Sequence, residues 1–298
     1  MAYGDSNYPS GTGHQWAVRL APLVLGLIAA AFVGIRGCQH GPGGRLQTVA
    51  LNVEQEKELG AQAYQEVLSK SRVIRSGPVV DAVQGVTKRL IAATANKEYL
   101  RLLKLEQPQF DWDVRVVESR EVNAFCLPGG KIVVYTGILP VAETEAGLAT
   151  VLGHEITHAI AHHGAERMAQ QQIAKIAVGA AGATLGDLDP AQQQAIMQAI
   201  NAGAQFGILK YSRKHESEAD KYGLFLMAAA GYDPHETVRF WERMQKMSKG
   251  GSTPEFMSTH PSHETRIRDL HALMPIAERL FDEIQPKAPN RPLPRLDR

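Results

Sequence analysis

One stretch constrains this chain more than any other: Thr150-Val151-Leu152-Gly153-His154-Glu155-Ile156-Thr157-His158-Ala159. Two histidines stand four apart, with a glutamate directly after the first. On an α-helix, residues i and i+4 share a face about one turn apart. Two imidazoles so spaced point at a single Zn²⁺, and Glu155 sits beside the metal as a candidate general base. With 11 histidines in 298 residues, a chance match to this HExxH pattern is expected only roughly 0.03 times. The preceding run Ala146-Gly147-Leu148-Ala149-Thr150-Val151-Leu152 is apolar and small-sided. Such a helix can lie inside a domain while its histidines face a cleft. The rest of the chain then has to supply a third ligand, a substrate groove and an address.

Composition narrows what surrounds that helix. The chain is long enough for one large domain or two ordinary ones. A net charge of +1 and an aromatic content of 6% give no argument for a nucleic-acid surface. The two cysteines, Cys38 and Cys126, exclude a disulfide scaffold and a cysteine-ligated zinc. One Zn²⁺ per chain must therefore be held by histidine and carboxylate.

Residues 1–15 are rich in Gly, Ser, Asn and Tyr, and are expected to be a flexible lead. Residues 16–36 form the only long apolar stretch, without a charge from Leu20 to Ile35. It is expected to be a membrane anchor, with Arg19 snorkelling to the interface. The rival is a cleaved signal peptide with Ala29-Ala30-Ala31 as its small-residue site. Either way the following domain is routed to a membrane or across one, on its extracytoplasmic side. Residues 37–50 are Gly-rich and expected to be a linker.

From 51 to 284 the pattern predicts one domain, α+β but mostly α, with a small antiparallel sheet. Helices are expected over 54–69, 79–94, 143–172, 217–230, 234–247 and 262–273, and from Asp189 towards Leu209. Phe110 to Glu118 alternates as a strand, and 122–127 with 131–136 flank Pro128-Gly129-Gly130 as a hairpin. Residues 173–185 are apolar, too short for a second span, and expected to be a packed helix end or a mobile flap. The stretch 250–261 is expected to be a loop, and 285–298, by its Pro content, a disordered tail.

Three routes could complete a catalytic zinc site, which needs three protein ligands and an open position. The continuation HExxHxxGxxH fails, because Ala161 and Gly164 stand in the required places. His162 lies about 12 Å up the helix from His154 at ~1.5 Å per residue, too far for the same metal. It and His163 are expected at the surface or behind a ligand. The third route is a glutamate on another helix, and Glu216-Ser217-Glu218-Ala219-Asp220 offers one. Glu216 and Asp220 share a face, so Glu216 can bind the metal while Asp220 accepts the second ring N–H of a ligating histidine. Glu218 points to another side. Taken alone this run is equally an acidic first turn of a helix.

The paired motifs resemble the gluzincin metallopeptidases of the HtpX, BepA and LoiP kind, a group that includes the mitochondrial Oma protease and the CAAX prenyl protease. Asn123-Ala124-Phe125-Cys126-Leu127-Pro128-Gly129-Gly130, His163-Gly164-Ala165-Glu166-Arg167 and Thr259-His260-Pro261-Ser262 with Arg266-Ile267 resemble further motifs of that family. The resemblance covers roughly residues 51–273 and implies a zincin-like peptidase domain. It implies His154, His158 and Glu216 as zinc ligands, Glu155 as base and Asp220 behind a ligand. His260 matches a histidine that in some relatives approaches the zinc and holds the site shut; it could instead stabilise a transition state or brace a loop. Arg266 has either an active-site role or a structural ion pair. The strand at Asn123 and Ala124 is implied to be the cleft edge that pairs with an extended protein substrate. The expected chemistry is hydrolysis: the zinc acidifies a water and polarises the peptide carbonyl, and Glu155 moves the proton. The resemblance implies an envelope quality-control endopeptidase for unfolded or misassembled proteins. A chaperone or assembly factor with latent protease activity is the alternative.

Overall fold

The computed structural model describes residues 12–49, 51–184, 194, 212–249, 254–260 and 265–295. Helix α1 (Thr12–Arg36) leads into an antiparallel hairpin of β1 (Cys38–His40) and β2 (Leu46–Thr48). Gly43 and Gly44 in its turn have φ of 68° and 82°, the left-handed region where a Cβ is costly. Helix α2 (Val53–Ser69) starts on a capping box, with the Asn52 side chain and the Gln55 side chain each bonded to the other's backbone N–H. Strand β3 (Val73–Ile74), helix α3 (Pro78–Ala93) and helix α4 (Lys97–Leu103) follow. Pro78 opens α3, and Val79, Val80, Val83, Val86 and Leu90 form its buried face.

Strands β4 (Asp113–Val117), β5 (Ala124–Leu127) and β6 (Lys131–Tyr135) join β3 in a sheet of order β3-β4-β6-β5. The sheet is mixed rather than purely antiparallel, because β4 and β6 run parallel while β5 folds back on the outer edge of β6. Helices α5 (Leu139–Ala142), α6 (Glu145–Ile160), α7 (His163–Thr184), α8 (Arg213–Ala229), α9 (His235–Lys249), α10 (Glu255–Thr259) and α11 (Arg266–Glu283) complete the described elements.

The HExxH helix, α6, begins where Thr144 accepts a hydrogen bond from Gly147 N–H, and it is buried from Ala146 to Ile160. It packs between α3, the β5 edge and α8. Glycine makes the α6/α8 crossing tight: a Cβ on Gly153 would stand 2.9 Å from Gly223 O, and one on Gly223 2.8 Å from His154 N. This close approach turns the first turns of α8 towards the histidines of α6.

Several expectations are corrected. The stretch 37–50 is not a loose linker; its glycines supply the turn of a folded hairpin. The helix expected over 143–172 is two helices, broken at His162, whose φ is 54°. Residues 173–184 are a packed helix end, the first of the two forms expected: they continue α7, which packs along α1, where Gly26 meets Ala180. The loop at 250–261 contains α10, and the final helix runs on to Glu283. Residues 285–295 are ordered rather than a disordered tail: Ala288 N–H donates to Gly231 O, Leu293 N–H to Glu143 O, and Arg291 O accepts from Glu145 N–H. The helix expected from Asp189 towards Leu209, residues 1–11 and residues 296–298 lie outside the described residues. The segment expected to be an anchor or signal forms α1, which starts at Thr12, inside the stretch expected to be a flexible lead. Among the described residues no helix is long and apolar enough to cross a membrane.

Candidate metal centre

Helices α6, α8 and the end of α10 bring four donors together: His154, His158, Glu216 and His260, all buried, with one ligand atom from each within 4.8 Å of the others. His154 Nε2 lies 3.1 Å from His158 Nε2 and 3.2 Å from His260 Nδ1. Glu216 Oε1 lies 3.0 Å from His260 Nδ1 and 3.4 Å from His158 Nε2, and Glu216 Oε2 is 3.5 Å from His154 Nε2. A tetrahedral zinc with bonds of ~2.0–2.1 Å separates its ligand atoms by about 3.3 Å. These five spacings, 3.0–3.5 Å, lie around that edge length, and the chemistry of the set, imidazole and carboxylate, suits zinc. The residues present therefore fit the ion.

Each α6 histidine is held from behind. His154 Nδ1 lies 3.1 Å from Asp220 Oδ1, off the line of an aligned hydrogen bond. Asp220 Oδ2 accepts from Arg266 Nε at 2.6 Å, and Arg266 Nη2 also donates to Glu216 Oε2 at 2.8 Å. Arg266 is 1% exposed, and its guanidinium stacks 3.8 Å over the Trp241 ring. His158 Nδ1 faces His163 Nδ1 at 2.9 Å, and His163 Nε2 faces Glu218 Oε2 at 3.0 Å. Arg266 thus orients two carboxylates rather than reaching the reacting centre.

The electrostatics follow from this packing. Burial opposes ionisation of Glu216, but the imidazoles of His260, His154 and His158 outweigh it and hold the carboxyl well below the usual range. Burial also disfavours charge on His154, yet Asp220 and Glu216 outweigh it and bring the ring up to about 9. A metal on Nε2 has to displace that proton, so ligation at this ring couples to pH. Burial pushes the Glu155 carboxyl up, against the opposing pull of His260 and His154. Glu155 Oε2 accepts from Cys126 N–H at 3.4 Å, and Glu155 Oε1 lies 3.3 Å from His260 Nε2. The candidate base is thereby aimed between the β5 edge and the donors. Burial drives the Cys126 thiol well above its ordinary value.

His154, Glu155, His158, Glu216, Asp220, His260 and Arg266 are thus all gathered at one centre. Asn123 and Ala124 lie at the start of the neighbouring β5, with Ala124 fully buried. His162 is elsewhere, its Nδ1 2.9 Å from the Glu56 carboxylate on α2. Sequence reasoning missed the parts played by Glu218, Glu166, His215 and Arg45. His215 Nε2 lies 3.1 Å from Glu166 Oε2, and its ring stacks on His163 at 4.4 Å. The HGAER run carries one of these residues, Glu166, beside His163, and was the available signal.

A buried HExxH helix, completed by a glutamate and an aspartate one turn apart on a second helix, defines an Asp-backed, glutamate-completed metallopeptidase centre. The chain belongs to peptidase family M48, whose model matches residues 87–274. It is 36% identical over 233 residues to the mitochondrial metalloendopeptidase OMA1 of Schizosaccharomyces pombe, covering 76% of this chain and 64% of that protein. It is 31% identical over 262 residues to the human mitochondrial metalloendopeptidase OMA1, covering 85% and 49%. It is 30% identical over 224 residues to a putative beta-barrel assembly-enhancing protease of Vibrio cholerae, covering 74% and 44%. The chain thus spans from less than half to just under two thirds of the length of these relatives.

Proposed function

We propose that this chain is a zinc-dependent endopeptidase that cleaves extended segments of unfolded or misassembled proteins. In this reading His154, His158 and Glu216 hold one Zn²⁺, Glu155 is the general base and Asp220 fixes the His154 ring. The approach of the His154, His158 and Glu216 donor atoms to 3.1–3.5 Å of one another carries the reading. When bound, zinc supplies a more acidic water and polarises a carbonyl. Glu155, its carboxyl raised by burial, takes the water's proton and passes it to the leaving amine. Alternation along β5 supports the substrate role of the edge. Tyr135 N–H donates to Asn123 O, so Asn123 faces β6, whereas the Cys126 N–H points outward to Glu155. The backbone groups of Ala124 therefore face away from β6 too, and since Ala124 is fully buried, a substrate strand pairs there by β-augmentation once the segment of Phe256 that covers this edge gives way. Asn123 can contribute only its side chain.

Casein cleavage by the purified full chain with Zn²⁺ tests this. Wild type should cleave, and Glu155→Gln should lose on the order of 10²–10⁴-fold in rate. Equal cleavage by both would sink the assignment.

The second reading is an assembly factor whose protease activity is latent. It is favoured by His260, whose Nδ1 occupies the fourth donor place while its Nε2 faces Glu155. Phe256 N–H on the same helix donates to Val122 O at the outward β5 edge. If this arrangement holds the site shut, His260→Ala raises casein cleavage; if His260 stabilises the transition state, the variant lowers it.

The same proposal seats the chain on a membrane through α1, on the extracytoplasmic side in an envelope quality-control role. Leu25, Leu27, Ile28, Phe32 and Ile35 of α1 are exposed and apolar, which supports it. Resistance of the full chain to carbonate extraction from membranes is the expected result, and recovery in the soluble fraction would refute it.

A further inference from the structure

The second line of contacts behind the metal site does not end in the peptidase core. Glu218 Oε1 accepts from Arg45 Nε at 2.5 Å, and the same guanidinium forks onto Glu166, with Nη1 2.9 Å from Oε1 and Nη2 2.7 Å from Oε2. Arg45 belongs to the β1–β2 hairpin and lies outside the residues matched by the family model. The three side chains are 9–15% exposed, and His163 is fully buried. Burial opposes ionisation of Glu166, but His215 and Arg45 outweigh it and bring its carboxyl down to about 2. Glu218 is likewise held low, by His163 and Arg45 against burial.

The proton positions along this line follow from its end. With a metal held on His158 Nε2, the ring proton would sit on Nδ1 and be donated to His163 Nδ1. His163 then carries its own proton on Nε2 and donates it to Glu218. Every donor points away from the metal, and the line terminates on a carboxylate that needs a cation. Arg45 provides it, and only a planar fork can serve Glu218 and both oxygens of Glu166 at once.

We infer that Arg45 is a positioning residue for the metal centre: through Glu218 and His163 it fixes the tautomer and orientation of His158, so metal affinity depends on the hairpin being docked. This rests on the proposed zinc site and adds a regulation to it. The hairpin follows directly on α1, so any displacement of α1 against the domain is transmitted to Arg45 and from there to the ligand.

The test uses the purified full chain, with Zn²⁺ affinity from chelator competition and the visible absorption of Co²⁺-loaded protein as readouts. Outer partners of metal-ligating histidines carry roughly 10–100-fold in affinity. His163→Ala should lose within that range, and Arg45→Ala about 10-fold with a shifted Co²⁺ band. Arg45→Lys should recover only part of the loss. The double variant should bind no more weakly than His163→Ala alone, since Arg45 acts through His163. Wild-type affinity in Arg45→Ala, or a full additive loss in the double variant, overturns the inference. So does a lowered melting temperature with unchanged affinity and spectrum, which marks a purely structural residue. Glu216→Gln separates the two proposals: if it binds Zn²⁺ as tightly as wild type, the site assignment itself falls.

Discussion

The two α6 histidines are supported in different ways, although both lines end on a carboxylate paired with an arginine. Behind His154 the line is short: Asp220 on α8, then Arg266 on α11, all buried and all within the residues matched by the family model. Behind His158 it passes through a second histidine to Glu218, and its cation comes from a hairpin far away in the chain. The first line shares Arg266 with Glu216, so it cannot be loosened without disturbing a ligand. The second line bears on no ligand except His158, and its far end sits near solvent. One arrangement serves permanence and the other can respond to something outside the domain.

Arg266→Ala should separate them most clearly. It strips the cation from two buried carboxylates, and breaking a buried pair costs about 3–5 kcal/mol. Urea unfolding should register that loss together with loss of bound zinc; a cost no larger than that of Arg45→Ala would erase the distinction. Next comes Asp220→Asn, which keeps the shape but weakens the acceptor for the His154 ring. Zinc affinity should fall by roughly 10–100-fold, read by chelator competition, with a loss of stability smaller than that of Arg266→Ala because Arg266 keeps Glu216 as a partner; if affinity does not fall, the short line is ornamental.

Acid probes the far end of the long line. The Glu166 carboxyl is depressed from 4.5 to about 2, so its stabilising contribution is complete above pH 4.5 and fades as pH drops towards 2. Pepsin should therefore nick the exposed Leu46 region increasingly across that window, and Glu166→Gln should flatten part of that rise, the Arg45–Glu218 pair supplying the rest. The smallest effect sets the baseline. The Glu66–Lys70 pair on α2 is exposed, and Glu66→Gln should change neither melting temperature nor zinc affinity.

The short line was partly legible in the sequence: helical spacing relates Glu216 to Asp220 as it relates His154 to His158, while Arg266, 46 residues beyond Asp220, was reached only through the family resemblance. The long line was not, for three physical reasons. A continuous helix over 143–172 would carry His163 away from His158; the break at His162, with a φ that histidine rarely adopts, folds it back. Glu218 lies two positions from Glu216, on the far side of α8, and nothing in that spacing says that His163 waits there. Arg45 is separated from its carboxylates by 121 and 173 residues, beyond any local pattern. Periodicity, caps and turn residues similarly made α2, α3, β5, β6 and α9 readable. The hairpin at 38–48 and the ordered stretch at 285–295 escaped, because Gly and Pro content describes what a segment prefers alone, not the surface it meets.

The ordered stretch near the C-terminal side has a consequence for how the enzyme is made. Arg291 O accepts from Glu145 N–H, and Asn290 Oδ1 from Ala146 N–H, so the first turn of α6 is finished by residues that follow every metal donor in the order of synthesis. On a translating ribosome, His154 and Glu155 emerge long before the backbone partners of their own helix start. A nascent chain therefore carries α6 without the partners of its first turn until residues 290 and 291 have been made. The capping of α6 is therefore among the last native contacts that the growing chain can make.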